Sequence, residues 1–116
     1  MMMPESPTVY LYAGITDMRK SINTLAILVQ EEMNMEVIQG ALFLFRSRCA
    51  RKMKALYYED GSYTLWYRRL ESGKFIFPRN ASGTIELEQQ HFEWLLASNK
   101  YSRPSQFAPE NHTDFY

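Results

Sequence analysis

Residues 53–58 (MKALYY) and 63–70 (YTLWYRRL) are two apolar, alternating runs that flank Glu59-Asp60-Gly61-Ser62. No other feature of the chain restricts its fold as much. Asp-Gly between such runs is a strong hairpin signal, because the favoured two-residue turn needs positive φ at both central positions. In the second run Tyr63, Leu65, Tyr67 and Arg69 share one face of a strand, and Thr64, Trp66, Arg68 and Leu70 share the other.

The remaining elements assemble around this hairpin. Residues 9–13 (VYLYA), bounded by Pro7 and Gly14, read as a first strand. Thr16 offers a helix N-cap, and Asp17 an acid for the first turn. Met18, Ile22, Leu25, Val29 and Met33 then fall at helical spacing, which predicts one amphipathic helix over roughly 16–33. Arg19, Lys20 and Asn23 face away from that stripe, and Glu31 and Glu32 close the helix. Residues 41–46 (ALFLFR) form a short apolar strand, followed by a basic connector from Arg46 to Lys52. A turn at residues 71–73 leads to a predicted strand at Lys74–Phe77, which Pro78 ends. Thr84–Leu87 reads as a last short strand and Glu88–Ala97 as a packed helix.

The sum is α+β: an antiparallel sheet of about five strands, with one long helix packed on a face and a shorter C-terminal helix. Met18, Ile22, Leu25, Val29, Leu42, Leu44, Leu56 and Leu65 are expected to share one core. Residues 1–8 form an N-terminal extension, residues 9–97 a single domain, and residues 98–116 a loosely held tail. The chain has 116 residues, enough for one hydrophobic core without staples.

Charge is distributed unevenly. The chain is formally neutral, yet residues 46–79 hold nine of its thirteen basic residues against three acids, a formal charge of +6. The rest carries −6. A positive β-rich surface on an acidic body suggests contact with a polyanion, nucleic acid first. Arg46, Arg48, Arg51 and Lys52 lie in the connector, and Lys54, Arg68 and Arg69 on the paired strands beside it. Arginine suits phosphates and guanine edges through its planar fork. Tyr57, Tyr58, Trp66 and Tyr67 interleave with these charges and offer faces for stacking on bases or on a partner. A solvated sheet face explains the same charges without a ligand.

Catalysis and cofactors find little footing. Asp17 is explained by a helix start, Glu59 and Asp60 by a turn, and Glu86, Glu88 and Glu93 by a solvated helix face. No acid set converges as two-metal chemistry requires. His91 and His112 are the only histidines and lack partners at persuasive ligand spacing, so no metal, cofactor or catalytic residue is expected. Cys49 is the single cysteine, which suits a reducing compartment, and Arg48 and Arg51 beside it favour a lowered pKa. No glycine-rich phosphate loop occurs. The first ten residues lack the basic and apolar regions of a signal peptide, and no apolar run is long enough to span a bilayer, so a cytoplasmic protein is expected.

Several motifs are familiar. They are Tyr10-Leu11-Tyr12-x-Gly14-x-Thr16-Asp17-Met18-Arg19-Lys20-Ser21, Gly40-x-Leu42-Phe43-x-Phe45-Arg46-x-Arg48, Lys54-x-Leu56-Tyr57, Gly61, and Leu65-Trp66-Tyr67-x-Arg69-Leu70-Glu71-x-Gly73-x-Phe75-x-x-Pro78. With these the chain resembles the small TnpB accessory proteins of the insertion-sequence-66 family of bacterial transposable elements, strongly to residue 78 and loosely to 97. It departs from them at Tyr58 and Phe77, where tryptophan is usual, and at Cys49-Ala50, in a connector that is often more basic. The resemblance implies an element-encoded protein required for transposition beside a separate transposase, which carries the catalytic carboxylates. It carries over no catalytic residue.

Two functional readings stand open at this point. In one, the chain is a non-catalytic factor that binds element-end DNA. In the other, it is an adaptor that holds the transposase or other element-encoded proteins through its Tyr- and Trp-rich face. A nuclease would need metal ligands that the sequence does not offer. Arg19 has two readings as well: a partner for Asp17 at the helix start, or a contact to phosphate or protein.

Overall fold

A computed structural model of the chain describes residues 7–78 and 83–97. The predicted N-terminal extension through residue 6, Arg79 and the tail at 98–116 lie outside the described residues. Seven elements follow in order: β1 (Thr8–Ile15), α1 (Ile22–Glu32), β2 (Ala41–Arg46), β3 (Lys52–Glu59), β4 (Ser62–Arg69), β5 (Thr84–Leu87) and α2 (Gln89–Leu96). The strands form one five-stranded sheet in the order β4-β3-β2-β1-β5.

The expected hairpin is β3–β4, with Glu59 paired to Ser62 across its turn. Asp60 and Gly61 take φ of 51° and 78°, the doubly left-handed turn that the Asp-Gly pair favours. The sheet is mixed, however, rather than antiparallel. β1 and β2 run parallel, Thr8 opposite Ala41 through Tyr12 opposite Phe45, while the other pairs are antiparallel. The helix between β1 and β2 carries the chain back to the end where it began, so β2 must start alongside the start of β1.

α1 is shorter than the periodicity predicted, eleven residues in place of about eighteen. Thr16 does not cap it. The Thr16 N–H instead donates to the carbonyl oxygen of Arg46 at 2.9 Å, extending the link between β1 and β2. Ser21 is the N-cap, and its own N–H donates to Thr24 Oγ1 at 3.0 Å. The helix ends as expected at Glu32, where Asn34 turns left-handed at φ 55° and Met35 N–H bonds back to the carbonyl of Val29.

Both faces of the sheet are covered, which separates residues expected to meet. Leu25 and Val29 of α1 and Met33 at its C-cap pack with Ala41, Phe43, Phe45 and Leu56 on one face, and Met18, Ile22 and Leu65 border them. Leu42 and Leu44 point the other way, to Val9, Leu11, Met53, Phe75, Ile76, Phe92 and Leu95. β2 is buried at five successive positions because it has a core on each side. The predicted strand at Lys74–Phe77 is not a strand. Phe75 N–H bonds the carbonyl of Ala50 at 2.7 Å, and Phe75 and Ile76 are buried as a plug beside α2. No helix among the described residues is long and apolar enough to cross a membrane.

Candidate nucleic-acid interface

The topology gathers the basic residues at one end of the sheet. β1 and β2 finish there, β3 starts there and β4 finishes there. Every Lys and Arg of the described residues belongs to these strand ends or to the segments joining them: Arg19, Lys20, Arg46, Arg48, Arg51, Lys52, Lys54, Arg68, Arg69 and Lys74. Lys74 joins the set because its neighbour Phe75 is bonded to Ala50. Glu59 and Asp60 sit at the opposite end, in the hairpin turn. The parallel pairing of β1 and β2 is what brings Arg19 and Lys20 to this end; the sequence placed them on a separate helix.

The cations divide by role. Four bind the fold's own carbonyl groups. Arg46 Nε donates to Ala13 at 2.9 Å, and its guanidinium lies 5.5 Å from the centre of the Phe77 ring. Burial lowers its pKa. Arg51 donates to the carbonyls of Leu70 (3.3 Å) and Glu71, which fastens the connector to the end of β4. Lys54 Nζ donates to Lys20 at 2.8 Å and lies 5.6 Å from the Tyr67 ring centre. Arg68 donates to the carbonyl of Leu96 at the end of α2 (3.3 Å) and covers Trp66 at 5.0 Å. A cation at a helix C-terminus meets the negative end of the dipole. These contacts give Arg46, Arg51, Lys54 and Arg68 structural duties that the charge count alone did not reveal.

Arg48 and Arg69 are exposed and Lys52 is half-buried, and their side chains meet no hydrogen-bonding or ionic partner among the described residues. Lys52 and Arg69 stand directly opposite each other on β3 and β4. Arg19 is exposed and clamped to Asp17: Nη2 lies 2.7 Å from Oδ2, Nε bonds both carboxylate oxygens, and the backbone N–H bonds Oδ1. These bonds hold the Asp17 carboxyl well below the usual carboxylate range and raise the Arg19 pKa. The connector is shaped by Ser47, whose N–H donates to the Lys52 carbonyl while its Oγ accepts the Lys52 N–H, both at 3.1 Å. The exposed thiol of Cys49 lies 3.5 Å from Ser47 Oγ, and that hydroxyl lowers its pKa.

The aromatic candidates also divide. Tyr57 is buried in the core opposite Leu42, so it presents no face to a base; alternation along β3 did not reveal a core on both sides. Trp66 is half-buried beneath Arg68 and packs on the second core. Tyr58 is half-buried and tilts against Tyr63 at 5.0 Å. Tyr67 is exposed, and so is Tyr63, a further candidate not among those expected, whose signal in the sequence is the strand face it shares with Tyr67. No cluster of three His, Cys, Asp or Glu residues suited to a metal exists among the described residues. His91 tilts against Trp94 at 5.3 Å.

Comparison with known proteins supplies the family. A family model described as "IS66 Orf2 like protein" matches residues 7–106. The uncharacterised protein y4hO of Sinorhizobium fredii is 30% identical over 98 residues, which cover 84% of this chain and 85% of that one. The uncharacterised protein y4jC of the same organism is 30% identical over 87 residues, 75% of this chain and 74% of its own. No solved structure matches. The matched region takes in the whole sheet and every strand end that carries the cations, so the chain belongs to the IS66 Orf2-like family and, with it, to the accessory proteins of transposition.

Proposed function

We propose that this protein is a non-catalytic accessory factor of transposition that binds DNA through the basic end of its sheet. The observation that carries the reading is the pair Lys52 and Arg69, opposed across β3–β4 with Arg48 exposed in the adjoining connector. Like charges directly opposite on a sheet destabilise it. The fold already uses four other cations as fasteners, whereas the side chains of this pair make no hydrogen bond or ion pair among the described residues. A phosphate placed between two such cations would turn the repulsion into attraction. Element-end DNA is the expected ligand, and the transposase supplies the chemistry.

The test is a gel-shift of the purified protein with element-end and scrambled duplexes at two salt concentrations. Binding that weakens with salt, and that the combined variant Arg48→Ala, Lys52→Ala, Arg69→Ala loses while still folding, supports the reading. No cleavage of DNA is expected with magnesium or manganese. A second reading has its own observation: Tyr63, Leu65 and Tyr67 lie along one face of the edge strand β4, with both tyrosines exposed, which suits a protein partner. If the triple variant binds DNA like its parent but no longer holds the transposase, the adaptor role replaces DNA binding.

A further inference from the structure

The segment after β1 and the connector between β2 and β3 face each other across an open groove of about 640 Å³. Arg19, Arg48 and Lys52 line it, with Asp17 as the one carboxylate. Asp17 is already engaged by Arg19 through both its oxygens, so the charge of Arg48 and Lys52 is left for something else. Ser47 holds the backbone of Lys52 in place from the groove wall.

Thr16 supplies the second observation. It lines the same groove, is 3% exposed, and its Oγ1 is buried without a hydrogen-bond partner. An unpartnered buried hydroxyl destabilises a fold, whereas valine would fill the same space with no polar atom to satisfy. The hydroxyl is a donor without an acceptor, in a groove that two cations, Arg48 and Lys52, also line.

We propose that this groove is an oxyanion subsite that takes one phosphate group of a nucleic-acid backbone. Arg48 and Lys52 supply the charge, and Thr16 Oγ1 supplies the fixed donor. The inference deepens the DNA-binding reading above and rests on it for the source of the phosphate. A polymer fits better than a free ion because the groove does not close. It adjoins a second groove, which shares Cys49 and Lys52 with it and adds Arg51 and Arg69 against one carboxylate, Glu71. Positive charge thus continues along the end of the sheet, as a track for successive phosphates requires.

Two probes test the subsite. Inorganic phosphate is titrated at constant ionic strength while the amide signals of Thr16, Ser47 and Arg48 are followed by NMR, and a short DNA duplex is titrated in parallel. Saturable shifts are expected with both. Thr16→Val should melt at or above the parent's temperature yet bind phosphate about tenfold more weakly, the worth of one hydrogen bond to a charged group. Thr16→Ser should keep the affinity. If Thr16→Val melts higher but binds both probes like its parent, the subsite is wrong; duplex binding still lost in the Arg48, Lys52, Arg69 variant would leave the wider DNA reading intact. Phosphate binding without duplex binding overturns the assignment to nucleic acid and the DNA reading with it. Should Thr16→Val melt below the parent, Arg48→Ala with Lys52→Ala decides, and unchanged phosphate affinity in that double variant overturns the subsite.

Discussion

Lys54 Nζ donates to the backbone carbonyl of Lys20 at 2.8 Å, so one cation of the basic end holds the segment that presents another. The bond joins residues 34 apart in sequence and bridges β3 to the approach of α1. Cations of this kind position the surface; those pointing outward are the ones free to meet a ligand.

Replacing Lys54 with Met keeps most of the aliphatic stem and removes the donor. The Lys20 carbonyl then loses its partner, and stability should fall by about 1.5–3 kcal/mol, the range for a hydrogen bond to a charged group. Urea unfolding checks this, and an unchanged slope against denaturant would confirm that only the native contact was lost. A variant as stable as the parent would show that the bond does not hold the two segments together.

Leu25 and Ile27 lie two residues apart on α1 but differ in environment: Leu25 is 0% exposed and Ile27 49%. Leu25→Asp should unfold the protein, since it places a carboxylate among Val29, Phe43 and Phe45, at a loss on the order of 4 kcal/mol or more. Ile27→Asp should melt close to the parent. Thermal melts of the two variants side by side test the direction of the helix, and similar melts would show the wrong face had been assigned to the core.

Arg69→Glu should make the fold more stable and the DNA complex weaker. The substitution replaces a like-charged pair with Lys52 by an opposite one, and such cross-strand changes are worth about 0.2–1 kcal/mol. On a duplex, the slope of log K against log salt should become shallower by at least about one, the share of one phosphate contact. Denaturant melts and salt-dependent binding measure the two effects separately. Unchanged DNA affinity would remove Arg69 from the interface.

The Asp17 carboxyl, depressed chiefly by its hydrogen bonds to Arg19, should show no titration step in the ordinary carboxylate range when followed by carbon NMR. Arg19→Met should restore a step near 3.8, the unperturbed value. The sign follows from the depressed folded pKa. The pair orders its segment above the ordinary carboxylate pKa, and that contribution disappears only as the pH falls through the lower folded value. A normal Asp17 step in the parent would mean that the clamp does not persist in solution.

Much of the fold was legible in the sequence where local chemistry decides it. Asp60-Gly61 marked the hairpin, and the β-branched and aromatic run before Gly14 marked β1. The start of α1 was not legible, because Thr16-Asp17 and Ser21-Thr24 both look like caps and only pairing with β2 selects the second. Nor was the placement of Leu42 and Leu44. Five successive apolar residues carry no alternation, so nothing local says which of them faces the helix. At the candidate site, the concentration of charge was visible, but the division of labour was not. Arg46, Arg51, Lys54 and Arg68 bond to carbonyl oxygens 19 to 34 residues away, and a backbone carbonyl has no letter in the sequence. Tyr63 was legible by its spacing from Tyr67, and Thr16 was hidden behind its apparent role as a cap.

The turn at Asp60-Gly61 lies at the far end of an eight-residue strand from Arg69, about 25 Å away at the rise of an extended chain. It therefore offers a handle. A dye or a surface tether attached at Ser62 would orient every molecule with its cations outward, and single-molecule measurements on DNA could be made without masking the end that meets it.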